Sequence, residues 1–192
     1  MPSQALLDWR SIRSAALDEL ERAHQGVGGR RRGRRHATQQ INHAYTVMIS
    51  SQFQGFCRDL HTESANALLL GGTLLPLKTA FSELLLQDRK LDKANPNPGN
   101  IGFDFNPFGL VFWNEVRSFD SRNGPRQRQL EDLVTWRNAI AHQDFSKISG
   151  GPKLHLSRVR AWRAACDHLA TAFDAVMWQH IKVLVGVAPW PI

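Results

Sequence analysis

The chain predicts an all-α fold: a helical bundle of four main helices, with short accessory helices and one long ordered loop, in a single domain over 1–192. Three observations carry this. Apolar residues recur at three- and four-residue spacing over long stretches, no strand-like alternation persists, and clusters of Gly, Pro and Asn separate the stretches. The 192 residues, 42% apolar and 21% charged, have the make-up of an ordinary globular protein with a sizeable core.

From Gln4 to His24, Leu6, Leu7, Ile12, Ala16, Leu17 and Leu20 mark one helix face, which stops before Gly26, Gly28 and Gly29. The basic loop 26–37 follows, with Arg30, Arg31, Arg32, Arg34 and Arg35. A long second helix is expected from Thr38 to Leu70, with Ile41, Tyr45, Met48, Ile49, Phe53, Phe56, Leu60 and Ala67 inward and Gly71-Gly72 as its stop. Gln54, Arg58 and His61 form a polar stripe on it that suits a solvent face as well as support for a site.

A third helix is expected over Pro76–Leu91, with Pro in its first turn. Residues 92–109 break the pattern: the Asn95–Asn100 run is turn chemistry, and Phe103, Phe105 and Phe108 read as anchors of a long loop. A short helix over Leu110–Phe119 leads to one over Arg126–His142, with Leu130, Leu133, Val134 and Ile140 inward. The last helix runs from Ser157 to Leu184 on Val159, Trp162, Cys166, Leu169, Phe173, Val176 and Trp178. An apolar tail, 185–192, is placed to dock on the body or on a partner. Trp113 and Trp136, with the two Trp of the last helix, are expected in the core or at an interface.

Charge narrows the function. The net charge of +7 comes from 18 Arg against 6 Lys, and Arg is the better fork for phosphate and stacks on bases. The bias favours nucleic acid as partner, although basicity by itself fits nonspecific binding equally well; if RNA binds, Arg30, Arg31, Arg32, Arg34 and Arg35 are the candidate contacts to its backbone. Cys57 and Cys166 are too few for a disulfide framework and read as core residues of a reducing compartment. The N-terminus lacks the pattern of a secretory leader, and no run is long enough to span a bilayer, so a cytoplasmic protein without membrane contact is expected. The sequence has no Gly-x4-Gly-Lys loop, His-Glu-x-x-His, paired CxxC or Gly-x-Ser-x-Gly, and no cofactor or metal is expected.

One short run speaks of chemistry: Arg137-Asn138-Ala139-Ile140-Ala141-His142, then Gln143-Asp144-Phe145. Arg-x4-His also occurs at Arg31/His36, in the Gly/Arg-rich loop, and at Arg163/His168, in mid-helix, where both side chains can face solvent. Only the middle pair has Asn after Arg, small or apolar residues between, and a helix end just beyond His. His142 is suited to act as base or acid near neutral pH, and Arg137 to offset phosphorane charge. Asn138 shares a helix face with His142, whereas Arg137 lies about 140° away unless its side chain wraps round or the helix unwinds. The plain alternative is a helix end where Arg makes a surface ion pair and His caps carbonyls.

The run resembles the signature of the HEPN superfamily (higher eukaryotes and prokaryotes nucleotide-binding domains), compact helical bundles with the motif one hairpin from the end. The resemblance implies a metal-independent endoribonuclease with Arg137 and His142 as catalytic residues, working as a homodimer whose two motifs face each other; Asn138, on the His142 face, joins them as a catalytic candidate that orients the imidazole or contacts ribose. It further implies a toxin or effector in a bacterial toxin–antitoxin or defence system, with an antitoxin or regulatory protein as partner. HEPN toxins paired with nucleotidyltransferase antitoxins carry a modified Tyr two residues after the His. Asp144 stands there, so that regulation is not expected; Asp144 is left as either an exposed helix-end carboxylate or a holder of the His142 tautomer. The alternative function is a noncatalytic helical module that binds RNA or protein.

Overall fold

The structure is a computed structural model, and it describes residues 2–28, 35–71 and 85–190. Helix α1 (Gln4–Asp8) passes through a π turn (Trp9–Arg13) into α2 (Ser14–Gly28). Then come α3 (Arg35–Gly71), the short α4 (Lys90–Lys93), α5 (Pro98–Phe105) with a 3₁₀ turn (Asn106–Phe108), α6 (Phe112–Phe119), α7 (Asn123–His142) and α8 (Leu156–Val185). The fold is all-α, as expected.

Helix α3 is the axis, packed against α1, α2, α7 and α8. Tyr45, Ile49, Phe53, Phe56, Cys57 and Leu60 are wholly buried along it. Phe53, Phe105, Phe112, Trp113 and Phe173 join α3, α5, α6 and α8 through ring contacts of 4.4–6.4 Å. A second aromatic group, Trp136, Trp162 and Phe145, fastens α7 to α8 and to the loop after the motif.

Met48, expected inward, is exposed. Its neighbours Asn42, Thr46 and Ser50 are buried instead. Two of these polar groups find partners there: Thr46 Oγ1 donates to Asn42 O (2.8 Å) and Asn42 Nδ2 to Leu154 O (2.9 Å), while Asn42 Oδ1 is buried without a partner among the described residues. Gln54 and His61 also leave the solvent face for partners. Gln54 Nε2 donates to Leu91 O (2.6 Å) and Ala94 O (3.0 Å), and His61 Nε2 to Asp104 O (3.0 Å).

The loop expected over 92–109 is largely helix. Asn97 caps α5 by accepting from Asn100 N (2.8 Å), and Pro98 occupies its first turn, where the missing N–H costs nothing. Phe105 and Phe108 are buried as anchors, but Phe103 is exposed. Of the helix expected over Pro76–Leu91, residues 76–84 lie outside the described residues. Its end breaks early, at Asp88 in the left-handed region (φ 55°), before α4. Asp104 caps α4 by accepting from Lys90 N and Leu91 N (2.8 and 2.9 Å).

The Arg163/His168 pair does not simply face solvent. Arg163 is bound to Tyr45 Oη, Ser14 Oγ and Asp18, tying α8 to α2 and α3. In the tail, Trp190 docks on the body and is 3% exposed, while Val187 is exposed.

Candidate functional site

Helix α7 carries the motif in its last two turns. Leu130, Leu133, Val134, Trp136, Ala139 and Ile140 are buried against the bundle, which fixes the faces of the residues between them. The helix stays regular to His142 and then closes sharply. Gln143 takes a left-handed conformation (φ 54°), its N–H reaches Ile140 O (3.3 Å), and Asp144 N–H reaches Ala139 O (3.0 Å). This is a Schellman closure with Gln where Gly is usual. Gln143 Nε2 adds a bond to Ile140 O (2.7 Å).

Regular winding decides the question left by spacing. Asn138 and His142 line one open cleft of about 290 Å³ with Thr135, Ala139, Asp144 and Lys147. Arg137 is half-buried and absent from that lining; its Nη1 donates to Asn138 Oδ1 (3.2 Å). The helix does not unwind to bring Arg137 and His142 together within one chain. Among the described residues, none hydrogen-bonds the exposed His142 imidazole.

Asp144 serves the turn. Its Oδ1 accepts from Ser146 N (3.0 Å), and that bond, with Ser146, Lys147 and His142 near it, holds the carboxyl below its ordinary range. It stays an anion beside the imidazole without being bonded to it. Behind it, α3 clamps the loop: Gln39 Nε2 and His43 Nε2 donate to Pro152 O (3.0 and 3.1 Å), and His43 stacks on Phe145 at 5.7 Å.

Lys147, Asn95 and the Gln39–His43 clamp were missed from sequence. Asn95 Nδ2 donates to Asn138 Oδ1 at 2.6 Å across 43 residues of chain. The legible signal nearby was Asn97-Pro98, a cap followed by a first-turn proline, which marks a helix start as well as a turn. Arg30, Arg31, Arg32 and Arg34 lie outside the described residues, as does the Arg35 side chain. Among the described residues, no group of three His, Cys, Asp or Glu is placed to hold a metal ion, and no helix is long and apolar enough to cross a membrane. A larger groove, about 840 Å³, lies at the C-terminal half of α8 and contains none of the predicted site residues.

The all-α bundle with its Arg-Asn-x3-His helix end one loop before the last helix fits a HEPN-type domain. The family profile described as RiboL-PSP-HEPN matches residues 14–176, and the chain belongs to that family. HEPN domains are often ribonucleases, so the family points to RNA-related, nuclease-type function. No curated protein and no solved structure matches the chain.

Proposed function

We propose that this chain is a metal-independent endoribonuclease acting as a homodimer through His142, Asn138 and Arg137. The observation that supports it most is the place of His142: exposed at an open cleft, free of hydrogen bonds to the described residues, and one turn beyond Asn138. One His142 takes the proton of a ribose 2′-hydroxyl as its oxygen attacks the adjacent phosphorus. The protonated His142 of the second copy gives its proton to the departing 5′ oxygen, leaving a 2′,3′-cyclic phosphate. Arg137 offsets charge on the phosphorane, reaching it from the facing copy because its own helix turns it away from His142.

The test is end-labelled single-stranded RNA with the purified chain in excess EDTA, beside His142→Ala. Cleavage by the wild type alone, with cyclic-phosphate ends, is expected. Cleavage that survives in the mutant, or that needs added metal, contradicts the assignment. The biological setting implied by the family likeness, a toxin or effector restrained by an antitoxin or regulatory protein, predicts that expression of the wild type arrests bacterial growth and that of His142→Ala does not.

The divergence of Arg137 and His142 favours a second reading, a noncatalytic RNA- or protein-binding module. Its RNA binding would be salt-dependent, carried by Arg30–Arg35, and indifferent to His142→Ala.

A further inference from the structure

We infer that Asn95 is a positioning residue of this site: with Arg137, it holds the Asn138 side chain so that its N–H donors face the cleft lined by His142. Asn138 Oδ1 accepts from Asn95 Nδ2 (2.6 Å) and from Arg137 Nη1 (3.2 Å). A side-chain amide can usually be turned over without violating its contacts, but here it cannot. A guanidinium has five N–H donors and no acceptor, so the Asn138 atom facing Arg137 must be oxygen. With that oxygen fixed, Asn95 must present its nitrogen.

Both donors therefore occupy the Asn138 oxygen, and its Nδ2 is left over. That nitrogen makes no hydrogen bond among the described residues and is not among the buried atoms lacking a partner, so it is open to solvent. Asn138 is thus fixed as a donor to a phosphate oxygen or to the ribose 2′ oxygen, and it has no acceptor to spare for the imidazole.

Asn95 is itself held from the core. Its carbonyl accepts from Asn100 Nδ2 and Asn97 N (both 2.8 Å), and Gln54 of α3 donates to the preceding carbonyl of Ala94. The orientation of the site amide is set through this turn. A preformed donor aimed at developing phosphorane charge stabilises it without reorganisation.

The kinetic consequence rests on the ribonuclease reading; the geometric one does not. Asn95→Asp keeps shape and turn chemistry but replaces the donor with an acceptor. The new carboxylate then calls for the Asn138 nitrogen while Arg137 still calls for its oxygen, so the amide is no longer held in one orientation. Expected is a fall in kcat of about ten-fold or more with a smaller change in KM, as for loss of an interaction made in the transition state. Asn95→Asp combined with Asn138→Ala should be no worse than Asn138→Ala alone, because the two act through one group. Asn95→Ala, with its unfolding midpoint measured, serves as the second variant.

The side-chain ¹H–¹⁵N resonances of Asn138, identified by their loss in Asn138→Ala, should move in both Asn95 variants. Wild-type kcat in Asn95→Asp, multiplicative losses in the double variant, or unmoved Asn138 resonances would each overturn the inference. If the wild type cleaves no RNA, the ribonuclease reading fails, and the resonance shift alone decides whether Asn95 positions Asn138.

Discussion

His61 is enclosed by the rings of Phe105 and Phe108 and donates to the Asp104 carbonyl. Burial, reinforced by nearby Arg89, lowers its pKa from 6.5 to about 4. The unfolded chain therefore takes up this proton first as pH falls. Stability from a neutral His61 is intact above about 6.5 and is lost progressively down to about 4, by about 3 kcal/mol in full. Asp167 and Asp174 oppose this: burial raises both carboxyls, so they favour the folded state as acid protonates them. His61→Gln keeps a donor without the titration. Its stability relative to wild type should improve as pH falls from 6.5 to 4, and a pH-independent difference in denaturant unfolding would contradict this account. At the motif, His142 is exposed and Arg137 half-buried. Replacing either with Ala should change stability by only about 0.5 kcal/mol while cleavage is lost. Denaturation alongside the RNA assay checks both.

Among the elements, α5 supports the site from outside the motif. Its Asn97 cap satisfies Asn100 N, and Asn100 in turn donates to the Asn95 carbonyl. Asn97→Ala should cost about 1 kcal/mol of stability, the ordinary worth of a cap, and lower kcat through the Asn95 turn. Full activity at equal loss of stability would show that the turn holds without its cap. Helices α3, α7 and α8 were legible within a few residues because long amphipathic stretches are local signals. Helix α5 was not, since Asn-Pro serves both turns and helix starts, and only the burial of Ile101 and Phe105 settles which. Met48 was misplaced because hydropathy ranks it above Thr46 and Ser50, whose hydroxyls are buried while its thioether faces outward.

For the whole molecule, the divergence of Arg137 and His142 turns the dimer into a measurable proposal. If the two His142 side chains act as base and acid at one shared site, a mixed dimer of wild-type and His142→Ala chains has no complete site. Random exchange of equal amounts should then leave about half of the activity of the same wild-type portion unmixed, by the symmetry of a two-fold dimer. Undiminished activity in a mixture shown to exchange subunits would place each complete site within one chain. Neutralising Arg30–Arg32, Arg34 and Arg35 should weaken RNA binding and flatten its salt dependence by about one unit of slope for each phosphate left without a cation. An unchanged slope would remove the basic loop from the RNA path.

By itself, the sequence determined the all-α class, the course of the long helices, the basic charge and the Arg137-Asn138-x3-His142 run, because periodicity and motif are local properties of a chain. Only the tertiary structure decided which polar groups meet. Asn95 with Asn138, His61 with Asp104 and Asn42 with Leu154 are each joined across distant stretches. Those partners were illegible in advance because a buried donor is satisfied by whichever acceptor packing brings within reach, and spacing along one helix carries no record of that acceptor.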